Sequence, residues 1–178
     1  MQSQSIYTQH GVFVKIHDSG VLITGRSGIG KSELALDLLS RGHHLIADDI
    51  VEIYSEHQQL IGRCPDMLFD FLHVKGLGLL KVTDLFGEQS CLSHYIIDFN
   101  LHLEDSPPDA QTLNALHLPT YTYRALDQNI PQYCFSIHLT PQLALWAEIL
   151  TRQFQLQKEG KNSETTFLRR HFFFTKMS

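Results

Sequence analysis

The segment Gly25-Arg26-Ser27-Gly28-Ile29-Gly30-Lys31-Ser32 constrains this chain more than any other feature. It fits the phosphate-loop pattern G-x-x-x-x-G-K-S/T, which has physical meaning only between a strand and a helix. Both flanks comply. Val21-Leu22-Ile23-Thr24 is a β-branched run, whereas Leu34, Leu36, Leu38 and Leu39 fall among good helix formers, with Gly42 beyond Arg41 where a helix end needs positive φ. The spacing predicts a helix from Lys31 to about Arg41. Glycines let the backbone wrap an anion, so the N–H groups of roughly Gly28 to Ser32 can point at a β-phosphate at the positive end of that helix. Lys31 would place its ammonium between the β- and γ-phosphates, and the Ser32 hydroxyl would ligate Mg2+. The loop therefore points to a nucleoside triphosphate as ligand, with Gly25 to Ser32 as the binding residues.

Around the loop the chain reads as the start of an α/β domain. Gly11 to Ile16 and Val21 to Thr24 form a predicted hairpin about a turn at Asp18-Ser19-Gly20, and His44-Leu45-Ile46-Ala47 and Ile50 to Tyr54 read as later strands. Between those strands stand Asp48 and Asp49. If the strand before them pairs parallel to the strand before the loop, both carboxylates reach the sheet edge where ligands bind. One could orient or deprotonate an attacking hydroxyl while the other helps hold Mg2+ or its waters.

Farther on, Glu56 to Gln59 turns the chain back toward Leu60-Ile61, and Leu72 to Leu80 is an apolar run carrying Gly76 and Gly78. Tyr95 to Leu103 and Tyr133 to Leu139 read as strands, and Glu104 to Asp109, with Pro107-Pro108, as a surface loop. A helix is expected from Pro141 to about Lys158, the longest of the chain, before Gly160 to Ser163 breaks it. The basic, phenylalanine-rich stretch from Phe167 to Phe174 is either a docking segment or a terminal helix packed on a neighbour, and it is a candidate oligomer contact.

With 178 residues the chain is sized for a single domain, spanning 1–178, with a helical C-terminal part over about 141–178. It carries 14 basic and 19 acidic residues, a net charge of -5, the wrong sign for general nucleic-acid binding. The polar N-terminus lacks a secretory signal, and no window approaches the roughly 18 apolar residues of a membrane span, so the expected location is cytoplasmic. Cys64, Cys91 and Cys134 show no C-x-x-C pair and are expected as buried or half-buried thiols. His73, His94, His102, His117 and His138 lack metal-site spacing. Phe69, Phe71, Trp146 and Phe154 suit a core better than a base-stacking platform.

Four segments resemble the catalytic domain of the HPr kinase/phosphorylase family, in the family's order. They are His10-Gly11, the loop continuing from Gly25 to Glu33, Arg41-Gly42-His43-His44-Leu45-Ile46-Ala47-Asp48-Asp49, and Val74-Lys75-Gly76-Leu77-Gly78-Leu79-Leu80 followed by Val82 and Leu85-Phe86-Gly87. Together they cover most of residues 9–87. The resemblance implies a phosphate-loop domain of the HPr kinase type, with a central mixed sheet and flanking helices. It implies ATP-dependent, Mg2+-requiring phosphorylation of a serine of HPr, the small carrier of the sugar phosphotransferase system, and a hexameric assembly. Asp49 matches the family's general base, Lys31 and Ser32 its phosphate and magnesium residues, and His10 a histidine of its active site.

The departures fall in the same machinery. Where the family has a magnesium-binding glutamate two residues before an arginine and Gly-Leu-Gly, this chain has His73 and Lys75. The family's catalytic arginine falls near Asn114 or Ala115, and its later proline-arginine-glycine loop aligns with Ser136 to Leu143, which retains neither arginine. These changes bear most on phosphorolysis. They leave open, beside the HPr kinase, a nucleotide-binding sensor or assembly module without catalysis and a phosphate-loop kinase of another acceptor.

Overall fold

The computed structural model describes residues 5–106, 119–138 and 142–176. Its elements, in order, are β1 (Tyr7–His10), β2 (Val12–Ile16), β3 (Ser19–Thr24), α1 (Lys31–Ser40), β4 (His44–Ala47), β5 (Ile50–Glu56), β6 (Gln59–Arg63), β7 (Phe71–Val74) and β8 (Gly78–Lys81). The short α2 (Val82–Phe86), β9 (His94–Ile96), β10 (Phe99–Glu104), β11 (Tyr121–Ala125), β12 (Gln128–Ser136), α3 (Leu143–Lys158) and α4 (Ser163–Lys176) follow.

Six strands form the central mixed sheet in the order β11-β12-β10-β3-β2-β4. β12 and β10 pair parallel, as do β10 and β3, whereas β2 runs antiparallel to both β3 and β4. The direct parallel pairing expected for β4 is therefore corrected: β2 lies between β3 and β4. Two antiparallel steps restore the direction, so β4 ends at the same edge as β3, and Asp48 and Asp49 still arrive beside the phosphate loop. The start of β2, preceded by His10 and Gly11, reaches that edge too.

The sheet buries both faces. Val12, Val14, Ile16, Val21, Ile23, Phe99, Leu101 and Leu103 pack with Leu34, Ala35, Leu38 and Leu39 of α1 and Ala144, Ala147, Leu150 and Phe154 of α3. On the opposite face Phe13 and Leu22 pack with Val51, Ile53, Leu60 and Ile97 beneath a second, antiparallel sheet ordered β1-β5-β6-β9. The alternation of Val12, Phe13 and Val14 follows the two-residue strand period. Gly62 lets the two sheets close, since a β-carbon there would stand 2.7 Å from the Phe13 ring.

Helix α1 ends as its sequence predicts. Gly42, at φ 87°, donates to Leu39 O, and His43 N donates to Leu38 O, the paired bonds of a glycine-terminated helix. Three expectations need correction. The β2–β3 turn lies at His17-Asp18, with His17 at φ 51°, so Ser19 and Gly20 belong to β3. The stretch from Tyr95 to Leu103 is two strands in different sheets, separated where Ile97 N bonds Leu60 O and Asp98 N bonds Gly20 O, both at 2.8 Å. Phe154 is core, but Trp146 is 47% and Phe69 36% exposed, because Trp146 lies on the outward side of α3. The segment from Phe167 falls within α4, and the glycine run over 72–80 is the hairpin β7–β8. Cys64 and Cys91 are buried and Cys134 half-buried, as expected.

Candidate active site

The phosphate loop leaves the buried strand β3 and enters α1 through Gly30, which caps the helix at φ 105° with no side-chain bond to its first turn. The helix's leading N–H groups are thus left to face the cleft. Gly25, Gly28 and Gly30 all take positive φ. Gly25 is also tightly enclosed, since a β-carbon there would lie 2.6 Å from Leu103 O. Lys31 Nζ donates to Gly25 O and Arg26 O, each at 3.0 Å, and partial burial lowers its pKa against the opposing pull of Asp49, Asp48 and Glu33.

At the end of β4 the two aspartates have divergent surroundings. Asp48 is 8% exposed, accepting from Ser32 Oγ at 2.9 Å through Oδ1 and from His73 N at 2.8 Å through Oδ2. Burial raises its pKa, and those two hydrogen bonds oppose the rise. Asp49 instead projects outward with a 76% exposed side chain. Its φ is 64°, and Ile50 N bonds Asp48 O at 2.8 Å across it, a tight three-residue turn that an L-residue adopts only under strain. His10 Nδ1 lies 3.6 Å from Asp49 Oδ1, with its ring 79% exposed, and Gly11 N holds the turn by donating to Asp49 O at 3.1 Å. Beside Asp48, burial pushes the Cys64 thiol up to about 11, so it is held in the less nucleophilic thiol form.

These groups line one cleft of about 410 Å3, shared by Ser27, Gly28, Gly30, Lys31, Ser32, Asp48, Asp49, His73 and Lys75. Ile29 points instead into the core. Arg26 turns away as well: its guanidinium pairs with Asp105, whose other oxygen takes His138 Nε2 at 2.9 Å. That tie, from the end of β10 to the loop, was not foreseen, and nothing in local spacing announces it. A buried polar chain under the loop was also missed. Asn100, fully buried, donates to Leu22 O at 2.9 Å and to Thr24 Oγ1 at 3.0 Å, and Thr24 Oγ1 is 3.0 Å from His102 Nδ1. A polar residue between Phe99 and Leu101 in an otherwise apolar strand was its legible signal.

The donor set fits a magnesium nucleotide. The Ser32 hydroxyl, fixed by Asp48, offers a hard oxygen beside the loop's N–H groups. His73 lines the same cleft but offers nitrogen. Among the described residues no group of three or more His, Cys, Asp or Glu side chains is arranged to hold a metal by itself. No helix among them is long and apolar enough to cross a membrane. Asn114, Ala115 and His117 lie outside the described residues, as do residues 139–141 of the Ser136 to Leu143 stretch.

Fold and cleft together define a phosphate-loop α/β domain with a carboxylate pair set against the loop. The model of the HPr serine kinase C-terminal domain matches residues 2–171, and the chain belongs to that family. It is 42% identical over 165 residues to the HPr kinase/phosphorylase of Neisseria meningitidis serogroup C, and 38% identical over 164 residues to that of Chromobacterium violaceum. Those matches take in 92% and 91% of this chain, which spans about half the length of each relative, 52%. The structure of the HPr(Ser) kinase/phosphatase of Coxiella burnetii superposes with a TM-score of 0.79 at 35% identity, covering 90% of this chain and 98% of that one.

Proposed function

We propose that this chain is an ATP-dependent, Mg2+-requiring kinase that phosphorylates a serine of HPr. The observation that carries the reading is the division of labour between Asp48 and Asp49 beside the loop. The exposed Asp49 is open to a hydroxyl presented by another protein, whereas the buried Asp48 can reach only its own neighbours. In this reading Asp49 accepts the serine proton, and His10 at 3.6 Å helps orient and stabilise its carboxylate. Lys31 and the loop amides hold the phosphates and stabilise the transferring group. Ser32, positioned by Asp48, would hold the metal, which supplies charge neutralisation on the phosphate chain. Kinship with the family supports HPr as partner, a hexameric assembly and a single catalytic domain over 1–178 working in the cytoplasm.

Labelled ATP and HPr test this directly: label should reach a serine of HPr and be lost in Asp49→Asn while nucleotide still binds. Unchanged transfer in that variant would remove Asp49 from its role. His73 and Lys75 at the cleft favour a second reading, a nucleotide-binding module without catalysis, which tight ATP binding with no transfer to any protein would support.

A further inference from the structure

We infer that His73 gives a nitrogen ligand to the divalent cation that accompanies a bound nucleotide, so that this cleft, while still working with Mg2+, holds Co2+ or Ni2+ nucleotides more tightly; the inference rests on the nucleotide-binding reading above. The argument starts from strand geometry. On β7, Leu72 and Val74 are buried, so alternation turns the exposed His73 away from the core, and the residue lines the cleft with Ser32, Lys31 and Asp48. The backbone of His73 is fixed there by its N–H bond to Asp48 Oδ2, and Asp48 Oδ1 takes the Ser32 hydroxyl. One buried carboxylate therefore sets the distance between the hydroxyl best placed for a metal and the strand that presents the imidazole.

The ring itself is uncommitted. Among the described residues it takes no hydrogen bond, ion pair or ring contact, although the same residue's backbone is tightly held. Among the described residues no three metal-ligating side chains come together to trap an ion, so in this reading the cation enters with the nucleotide and completes its shell on the protein. Mg2+ demands oxygen donors and gains little from imidazole, while affinity for a nitrogen-containing site rises from Mn2+ through Co2+ to Ni2+. Lys75, two residues along and also facing the cleft, adds positive charge for phosphate rather than a ligand for a cation.

Mn2+·ADP bound to protein carrying 15N-labelled histidine is the probe, read by pulsed electron paramagnetic resonance. The expected spectrum shows a directly coordinated histidine nitrogen that disappears in His73→Gln. In parallel, calorimetric titration with Co2+·ADP and Mg2+·ADP should show the Co2+-to-Mg2+ affinity ratio falling about tenfold or more in that variant, and His73→Glu should shift preference toward Mg2+. Because the ring is exposed and its backbone makes the structural bond, both variants should fold, checked by an unchanged circular dichroism spectrum. Binding of Mn2+·ADP without histidine coupling, or an equal ratio in all three proteins, overturns the inference and leaves the nucleotide reading intact. Failure of any ADP complex to bind overturns both.

Discussion

Ser32 Oγ donates to Asp48 Oδ1 at 2.9 Å, and this bond ties the first turn of α1 to the end of β4. In the proposed function the same hydroxyl serves the metal as well as satisfying a buried carboxylate. Ser32→Ala should weaken magnesium-nucleotide binding by about tenfold or more. It should also lower stability by about 1–3 kcal/mol, since Asp48 loses one of its two donors outside its own turn. Calorimetry with Mg2+·ADP and denaturant melts separate the two effects.

The raised pKa of Asp48 predicts a pH dependence. A carboxyl that holds its proton more tightly when folded than its ordinary 3.8 contributes stability below that value and loses it as pH rises through the folded pKa. Asp48→Asn cannot titrate. The Tm of the wild type relative to Asp48→Asn should therefore climb as pH falls from neutrality toward 4, by roughly 2–4 °C for each kcal/mol involved. A flat difference across that interval would contradict the burial argument.

Gly25 and Gly28 both take positive φ, yet their surroundings separate them. At Gly25 a β-carbon meets Leu103 O at 2.6 Å, while at Gly28 nothing lies within 4 Å. Gly28→Ala should cost about 1–2 kcal/mol, the left-handed penalty alone. Gly25→Ala should cost more and displace the loop from β10, visible as the larger Tm loss and the larger loss of nucleotide affinity.

Asn100 is the other structural test. Replacing it with alanine strips the donor from Leu22 O and from Thr24 Oγ1 in a place closed to water. A loss of about 2 kcal/mol, or a Tm drop of roughly 4–8 °C, is expected. Thermal melts of the purified variant provide the check.

Much of the site was legible because it is local. The loop, α1 with its glycine stop, and the aspartate pair are contiguous or nearly so, and short-range chemistry dictates their form. Nonlocal pairing was the harder part. No residue near β4 states that β2 would insert beside it, and the long apolar run from Tyr95 conceals the switch between sheets, which depends on partners at Leu60 and Gly20. β1 and β11 also went unread, since Tyr7–His10 and Tyr121–Ala125 are short, largely exposed edge strands with little apolar pattern. Trp146 was misplaced for a related reason: periodicity defines a helical face but not where the neighbouring layer stops.

The reversed strand β2 has a further consequence for how such a site can change. The loop and the aspartates are delivered by β3 and β4 running outward to the edge, while His10 ends β1 of the second sheet, just before β2 runs inward from that edge. The exposed acid and the histidine beside it thus come from separate stretches of chain that meet along the β1–β5 pairing, in the bond from Gly11 N to Asp49 O and in the His10–Asp49 contact. On the proposed reading, remodelling residues 7–10 changes the surroundings of Asp49 and the approach to it while leaving the loop from Gly25 to Ser32 in place.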